Sequence, residues 1–221
     1  GLAEGCRSAG CSLIGGETAE LPDFYHPGEY DLAGTIVGVV DKHAIIDGAA
    51  IEEGDSIIAL KSSGLHTNGY SLVRKLLLSS GKYSLDQHIG ALGKALGDEL
   101  LIPHRCYAKP VRRLLDKLSV RGMAHITGGG LTDNVPRILP KNVDAEIDLN
   151  KWRPLPIFEM IRREGNIARD EMLRTFNMGV GMVLVVSPRD ESAVLDSLRD
   201  DNEEAWIIGR IVRGSGVVRY L

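Results

Sequence analysis

The chain has 221 residues, 43% of them hydrophobic and 25% charged, and a formal net charge of −4. That balance describes an ordinary soluble globular protein of one or two domains. It argues against a broad nucleic-acid or membrane footprint, which would call for basic stripes. No apolar run approaches the ~20 residues of a membrane helix, and the three cysteines (Cys6, Cys11 and Cys106) lack zinc or disulfide spacing, which fits a reducing, cytoplasmic setting.

Gly1 to Ser8 reads as a helix end closed by Gly10, followed by a short strand from Cys11 to Ile14. Gly15 to Glu20 then carries two glycines and two carboxylates. Such a loop either holds a hard cation through oxygen ligands or is plain polar surface. Tyr30 to Val40 alternates apolar residues with Gly34 and Gly38, as a strand approached by another backbone does. Asp31 within it serves either as a metal ligand or as a satisfied buried polar group. Asp41 to Gly54 is turn-rich, and the boundary between two domains is placed there, at 47/48.

Ser56 to Leu60 is an apolar run typical of a buried strand, and Ser71 to Leu78 has the spacing of a helix with one buried face. Between them lie Ser62, Ser63, Gly64, His66, Thr67, Asn68 and Gly69. Thr67 or Asn68 is placed to cap the helix, whose free N–H groups favour a phosphate or carboxylate. Helices follow at Leu96–Ile102 and Val111–Leu118, with His104 assigned to the surface. Ala124 to Ile126 is a strand running into Thr127, Gly128, Gly129 and Gly130. Pro136 sets the next helix start near 131–133, because proline is tolerated only in a first turn. This is a second glycine-lined anion cradle, again with a histidine, His125, beside it. Asp144–Asp148, Met182–Val186, Ala205–Val212 and Val217–Leu221 read as strands. Pro156–Glu164, Ala168–Phe176 (capped by Asn166) and Ala193–Asp200 read as helices. Trp152 is assigned to packing, and Asn177 is expected to reach a ligand. Without strict βαβ alternation the fold class is α+β: a mixed sheet with helices on one face, preceded by a partial N-terminal α/β domain.

Five blocks, in order, resemble one family: IGGETAELP (Ile14–Pro22), EYDLAGTIVGVV (Glu29–Val40), SSGLHTNGYSLVR (Ser62–Arg74), AHITGGGLTDNVPRILP (Ala124–Pro140) and RTFNMGVGMVLVV (Arg174–Val186). They are similar to the aminoimidazole ribonucleotide synthetases, the phosphoribosylformylglycinamidine cyclo-ligases. Against that family the nucleotide loop and metal-binding aspartates of the first third are not seen, and His104 stands where threonine is common. The resemblance implies part of a longer synthetase: residues 1–47 from an ATP-binding, dimerising domain and 48–221 from the substrate-side domain. It implies ATP and Mg2+ as cofactors, a phosphoribosyl substrate and a homodimer. It also implies His66 and His125 as catalytic groups and Ser63, Gly64, Asn68, Gly69, Thr127, Gly128, Gly129, Gly130 and Asn177 as substrate or phosphate contacts. Glu17, as metal or substrate-amide ligand, and Asp31 are the metal candidates. Which cradle takes substrate and which takes nucleotide stays open. So do a non-catalytic phosphate-binding or dimerising piece and the related ATP-using amidotransferase, selenophosphate synthetase and thiamine-phosphate kinase.

Overall fold

The computed structural model describes residues 1–221 and divides them into two compact units, Gly1–Ile45 and Ile46–Leu221. In the first unit, α1 (Leu2–Ala9) ends at Gly10, whose φ of 73° is the left-handed closure expected of a glycine. The two strands expected here do not form. Residues 11–14 and 30–40 have no hydrogen-bonded strand neighbour, and Ile14, Val37 and Val39 are 94%, 85% and 98% exposed. Alternation alone makes no strand, since a ladder needs a partner for its N–H and C=O groups.

The second unit is built on a six-stranded sheet. In chain order its elements are β1 (Ser56–Lys61), α2 (Tyr70–Val73, widening into a π-helical turn over Arg74–Leu78), β2 (His88–Ile89), β3 (Lys94–Ala95), α3 (Leu96–Leu100), α4 (Ala108–Leu115), β4 (Gly122–His125) and α5 (Gly130–Asn134, then a 3-10 turn over Val135–Ile138). Then come β5 (Val143–Ile147), α6 (Pro156–Gly165), α7 (Arg169–Thr175), β6 (Val180–Val186), α8 (Glu191–Asp200), β7 (Ala205–Arg213) and β8 (Val218–Tyr220). The strand order is β4-β6-β1-β7-β5-β8, antiparallel except for β5 beside β8, while β2 and β3 form a separate small hairpin. The mixed sheet of an α+β fold is therefore present.

Helices cover both faces of that sheet rather than one. On β1, Ile57 and Ala59 join a core with Leu131 and Val135 of the α5 segment. Ile58 and Leu60, one residue out of phase, join Val111 and Leu114 of α4 and Val194 and Leu198 of α8. All four β1 side chains are buried, so the run reads as continuously apolar. A third core gathers α2, α3, α6 and α7 around Phe158 and Phe176. Trp152 packs as expected, donating its indole N–H to the Met178 carbonyl at 2.9 Å. At the far edge, β8 carries Tyr220, whose hydroxyl meets that of Thr132 on α5 at 2.8 Å. No helix is long and apolar enough to cross a membrane.

Candidate functional site

Leaving β1, the chain packs Ser62 through Asn68 into a tight, strained loop. His66 and Thr67 take left-handed φ values of 52° and 61°, and Gly69 follows at 75°. Left-handed backbone costs a non-glycine residue about 1–3 kcal/mol and persists only where the surroundings impose it. The surroundings here are specific. Asn177, 1% exposed, takes the Ser62 hydroxyl and the Gly179 N–H on its carbonyl at 2.9 and 2.8 Å, and donates its amide to Gly64 O at 2.9 Å. Its polar groups are used within the chain, so it braces the loop from beneath and presents nothing outward.

Asn68 does not cap α2; the N-cap is Gly69, with no side-chain bond. Its amide donates back to His66 O at 2.6 Å, and its carbonyl accepts the Gly128 N–H at 2.9 Å. The two glycine-lined turns thus meet through one side chain. The N–H groups of Gly69 and Gly129 find no acceptor within the chain. Gly129 has a φ of 104° and Gly130 one of 57°, and Gly130 is wedged against the Leu173 carbonyl. Thr127 bonds Asn134, a buried residue of α5 that also donates to Gly130 O at 2.8 Å. Likewise, Asn166 does not cap α7: it closes α6 in a left-handed conformation, and Ala168 precedes α7 without a side-chain bond.

His66 is 2% exposed. Its Nε2 accepts the Ser63 N–H at 2.9 Å and faces the Arg105 N–H at 3.4 Å. Ser63 Oγ lies 2.9 Å from the same nitrogen and donates to Pro103 O at 2.7 Å. Backbone donors cannot reverse, so the ring proton belongs on Nδ1, which is buried without a partner. Burial, and then the neighbouring His104, His125 and Arg105, push its pKa down to about 3. The ring is a neutral donor at any physiological pH.

His104 was assigned to the surface from sequence. It is exposed, yet it stacks on His66 at 4.0 Å between ring centroids, and its Nε2 lies 3.0 Å from His125 Nε2. Burial lowers the pKa of both, and the charge of His125 adds to the effect on His104. Tyr107 closes the cluster 6.2 Å from His66 and 6.4 Å from His125, its hydroxyl on Lys61 O and its phenol pKa raised by burial. His104 and Tyr107 are the members sequence reasoning missed. The family threonine at position 104 was the one available signal.

The structure thus brings together Ser63, Gly64, His66, Asn68, Gly69, His125, Thr127, Gly128, Gly129 and Gly130, with Asn177 below them. Glu17 and Asp31 lie in the other unit, along an open hollow of about 730 Å³ shared with Glu20. Asp31 is exposed, accepting from Tyr25 Oη at 3.4 Å and from the Leu32 N–H, so it is no buried group. No three carboxylates converge there within reach of one ion; the one such cluster of His, Cys, Asp or Glu is the histidine group. The residues of the first unit do not by themselves fit a magnesium site.

Among curated relatives, the phosphoribosylformylglycinamidine cyclo-ligase of Bacillus cytotoxicus is 56% identical over 98% of this chain and 62% of its own length. Those of Brevibacillus brevis and Alkaliphilus metalliredigens are 51% and 50% identical, over 100% and 97% of this chain and 64% and 62% of theirs. The chain therefore spans under two thirds of the length of these relatives. Among solved structures, thiamine-monophosphate kinase from Stenotrophomonas maltophilia shares the fold at 21% identity and a TM-score of 0.56, over 82% of this chain and 54% of that one. The hydrogenase maturation protein HypE of E. coli does so at 20% and 0.52, over 78% and 48%. Residues 52–221 match the family described as AIR synthase related protein, C-terminal domain, and residues 1–40 its N-terminal counterpart. The chain belongs to the AIR synthase related family.

Proposed function

We propose that this chain is the substrate-side portion of an ATP-dependent cyclo-ligase. The enzyme closes formylglycinamidine ribonucleotide to 5-aminoimidazole ribonucleotide and releases ADP and phosphate. The observation that carries the reading is the Asn68–Gly128 bond, which brings two loops with free glycine N–H groups beside His66 and His125. The relatives at 50–56% identity that bear the cyclo-ligase name support it.

Backbone N–H groups in turns of this kind suit a phosphate. ATP, when bound, supplies the phosphoryl group that turns the formyl oxygen into a leaving group. This chain's part is to hold the substrate folded so that the amidine nitrogen stands near the formyl carbon. His66, neutral and buried with its Nδ1 proton inside the fold, holds the loop through the Ser63 N–H and backs His104, so its part is to position the groups that face the substrate. His125, exposed beside it, is the ring open to the substrate and is assigned to charge stabilisation or proton transfer. In this reading the whole enzyme is a cytoplasmic homodimer that also uses Mg2+, and residues 1–47 belong to its ATP-binding and dimerising domain.

The test is direct. The complete protein is incubated with ATP and the amidine substrate, and the imidazole product is measured. In parallel, this chain is titrated calorimetrically with the product. Turnover together with binding carries the assignment; failure of the complete protein to form the imidazole overturns it. Binding of product by a complete protein that does not turn over would mark a phosphate-ligand module instead.

A further inference from the structure

His104 and His125 face each other through Nε2 atoms 3.0 Å apart, on the exposed side of the cluster. No carboxylate or backbone group bonds either nitrogen. Thr67 Oγ1 lies 3.5 Å from His104 Nδ1, on the side where it takes the ring proton, so His104 Nε2 accepts from His125 Nε2 in an imidazole–imidazole hydrogen bond whose proton a metal ion would displace. His66 stacks flat against His104, 19° from parallel, and limits its rotation.

We propose that His104 and His125 together bind one borderline divalent transition-metal ion, of the zinc, cobalt and nickel class, through their Nε2 atoms. Two metal–imidazole bonds of about 2.0–2.1 Å at a right angle place their nitrogens about 3 Å apart, and an opening of a few tenths of an ångström reaches tetrahedral geometry. Nitrogen atoms of all three rings lie within 4.8 Å of one another, so His66 is near enough to be a third ligand. It is not one: the Ser63 and Arg105 N–H groups hold its Nε2 as an acceptor, and its Nδ1 carries the proton. His66 is the wall of the site. The remaining coordination positions face outward and take water or an oxygen of an anionic ligand. An all-imidazole donor pair with no carboxylate disfavours magnesium and calcium. The site is thus distinct in chemistry from any Mg2+ that accompanies a nucleotide, and it does not depend on the catalytic reading.

Equilibrium dialysis of the 221-residue chain against micromolar Ni2+ or Zn2+, in excess Mg2+, tests it. One ion per chain is expected, and His104→Thr and His125→Asn are each expected to weaken binding at least about tenfold. In nuclear magnetic resonance spectra, Ni2+ is expected to broaden the ring signals of His104 and His125 and to leave those of His26, His43 and His88 sharp. The double variant Cys6→Ser/Cys11→Ser controls for a thiolate site and is expected to bind as the parent does. Absence of binding, binding unchanged in His104→Thr, or loss in the cysteine variant overturns the proposal.

Discussion

The side-chain carbonyl of Asn68 accepts the Gly128 N–H at 2.9 Å, and that single bond spans two loops 60 residues apart in the chain. Replacing Asn68 by alanine removes it together with the amide bond to His66 O. The expected result is a loss of about 1–2 kcal/mol in stability, accompanied by weaker binding of the phosphorylated product. Denaturant unfolding and calorimetric titration check the two parts separately.

Gly181, on β6, marks how closely the cluster is packed. A methyl group there would collide with the Tyr107 hydroxyl and stand 2.8 Å from His66 Cε1. Gly181→Ala is expected to cost about 1–3 kcal/mol, the usual range for overpacking, and to lower turnover of the complete enzyme by shifting both rings. Gly130→Ala meets the Leu173 carbonyl, which cannot move aside, from a left-handed backbone. It is expected to be the more destabilising of the two by thermal unfolding.

Asn177 separates a brace from a ligand contact. Asn177→Ala strands the Ser62 hydroxyl, Gly64 O and the Gly179 N–H inside the protein. A stability loss of about 2–4 kcal/mol is expected. A variant that kept its parent's melting temperature and lost only product affinity would return Asn177 to the role expected from sequence.

Asp144 lies wholly inside the fold. The backbone N–H groups of Ser215 and Val217, and then Arg219, hold its pKa below the usual carboxylate value. A folded-state pKa below the unfolded one gives stability that is present above the unfolded value and drains away as pH falls through the folded one. Acid unfolding of the parent is therefore expected to include this group, and Asp144→Asn is expected to lower stability at pH 7 and flatten the acid limb. Parallel unfolding series between pH 7 and acid measure it.

In the complete enzyme, His66→Ala and His125→Ala are expected to reduce turnover far more than stability. Parent-level turnover in both would remove the pair from the proposed mechanism. His66→Ala also leaves a gap beneath His104, so its melting temperature must be measured alongside.

The sheet was largely readable from sequence because β1 and β6 are buried on both faces, and that leaves a plain mark: the continuous apolar runs Ile57–Leu60 and Met182–Val186. The glycine turns were readable as turns, whereas the Asn68 bond that joins them was not. What the residues did not reveal was direction. Asn68 and Asn166 look like helix caps, yet the first bonds a distant loop and the second closes the preceding helix. Capping is local, and a side chain with a distant partner escapes it. His104 escaped for the same reason: its contacts lie 21 and 38 positions away, with His125 and His66. The stretch 30–40 failed in the opposite sense, carrying a strand's alternation with no neighbour to pair it.

Tyr220 sits on β8, with its hydroxyl against Thr132. Thr132 belongs to the helix that begins at the triple glycine. A bulky label or surface attachment made on β8 therefore pulls on the triple-glycine turn. A loss of ligand affinity after labelling on β8 would therefore report on the label rather than on the histidines.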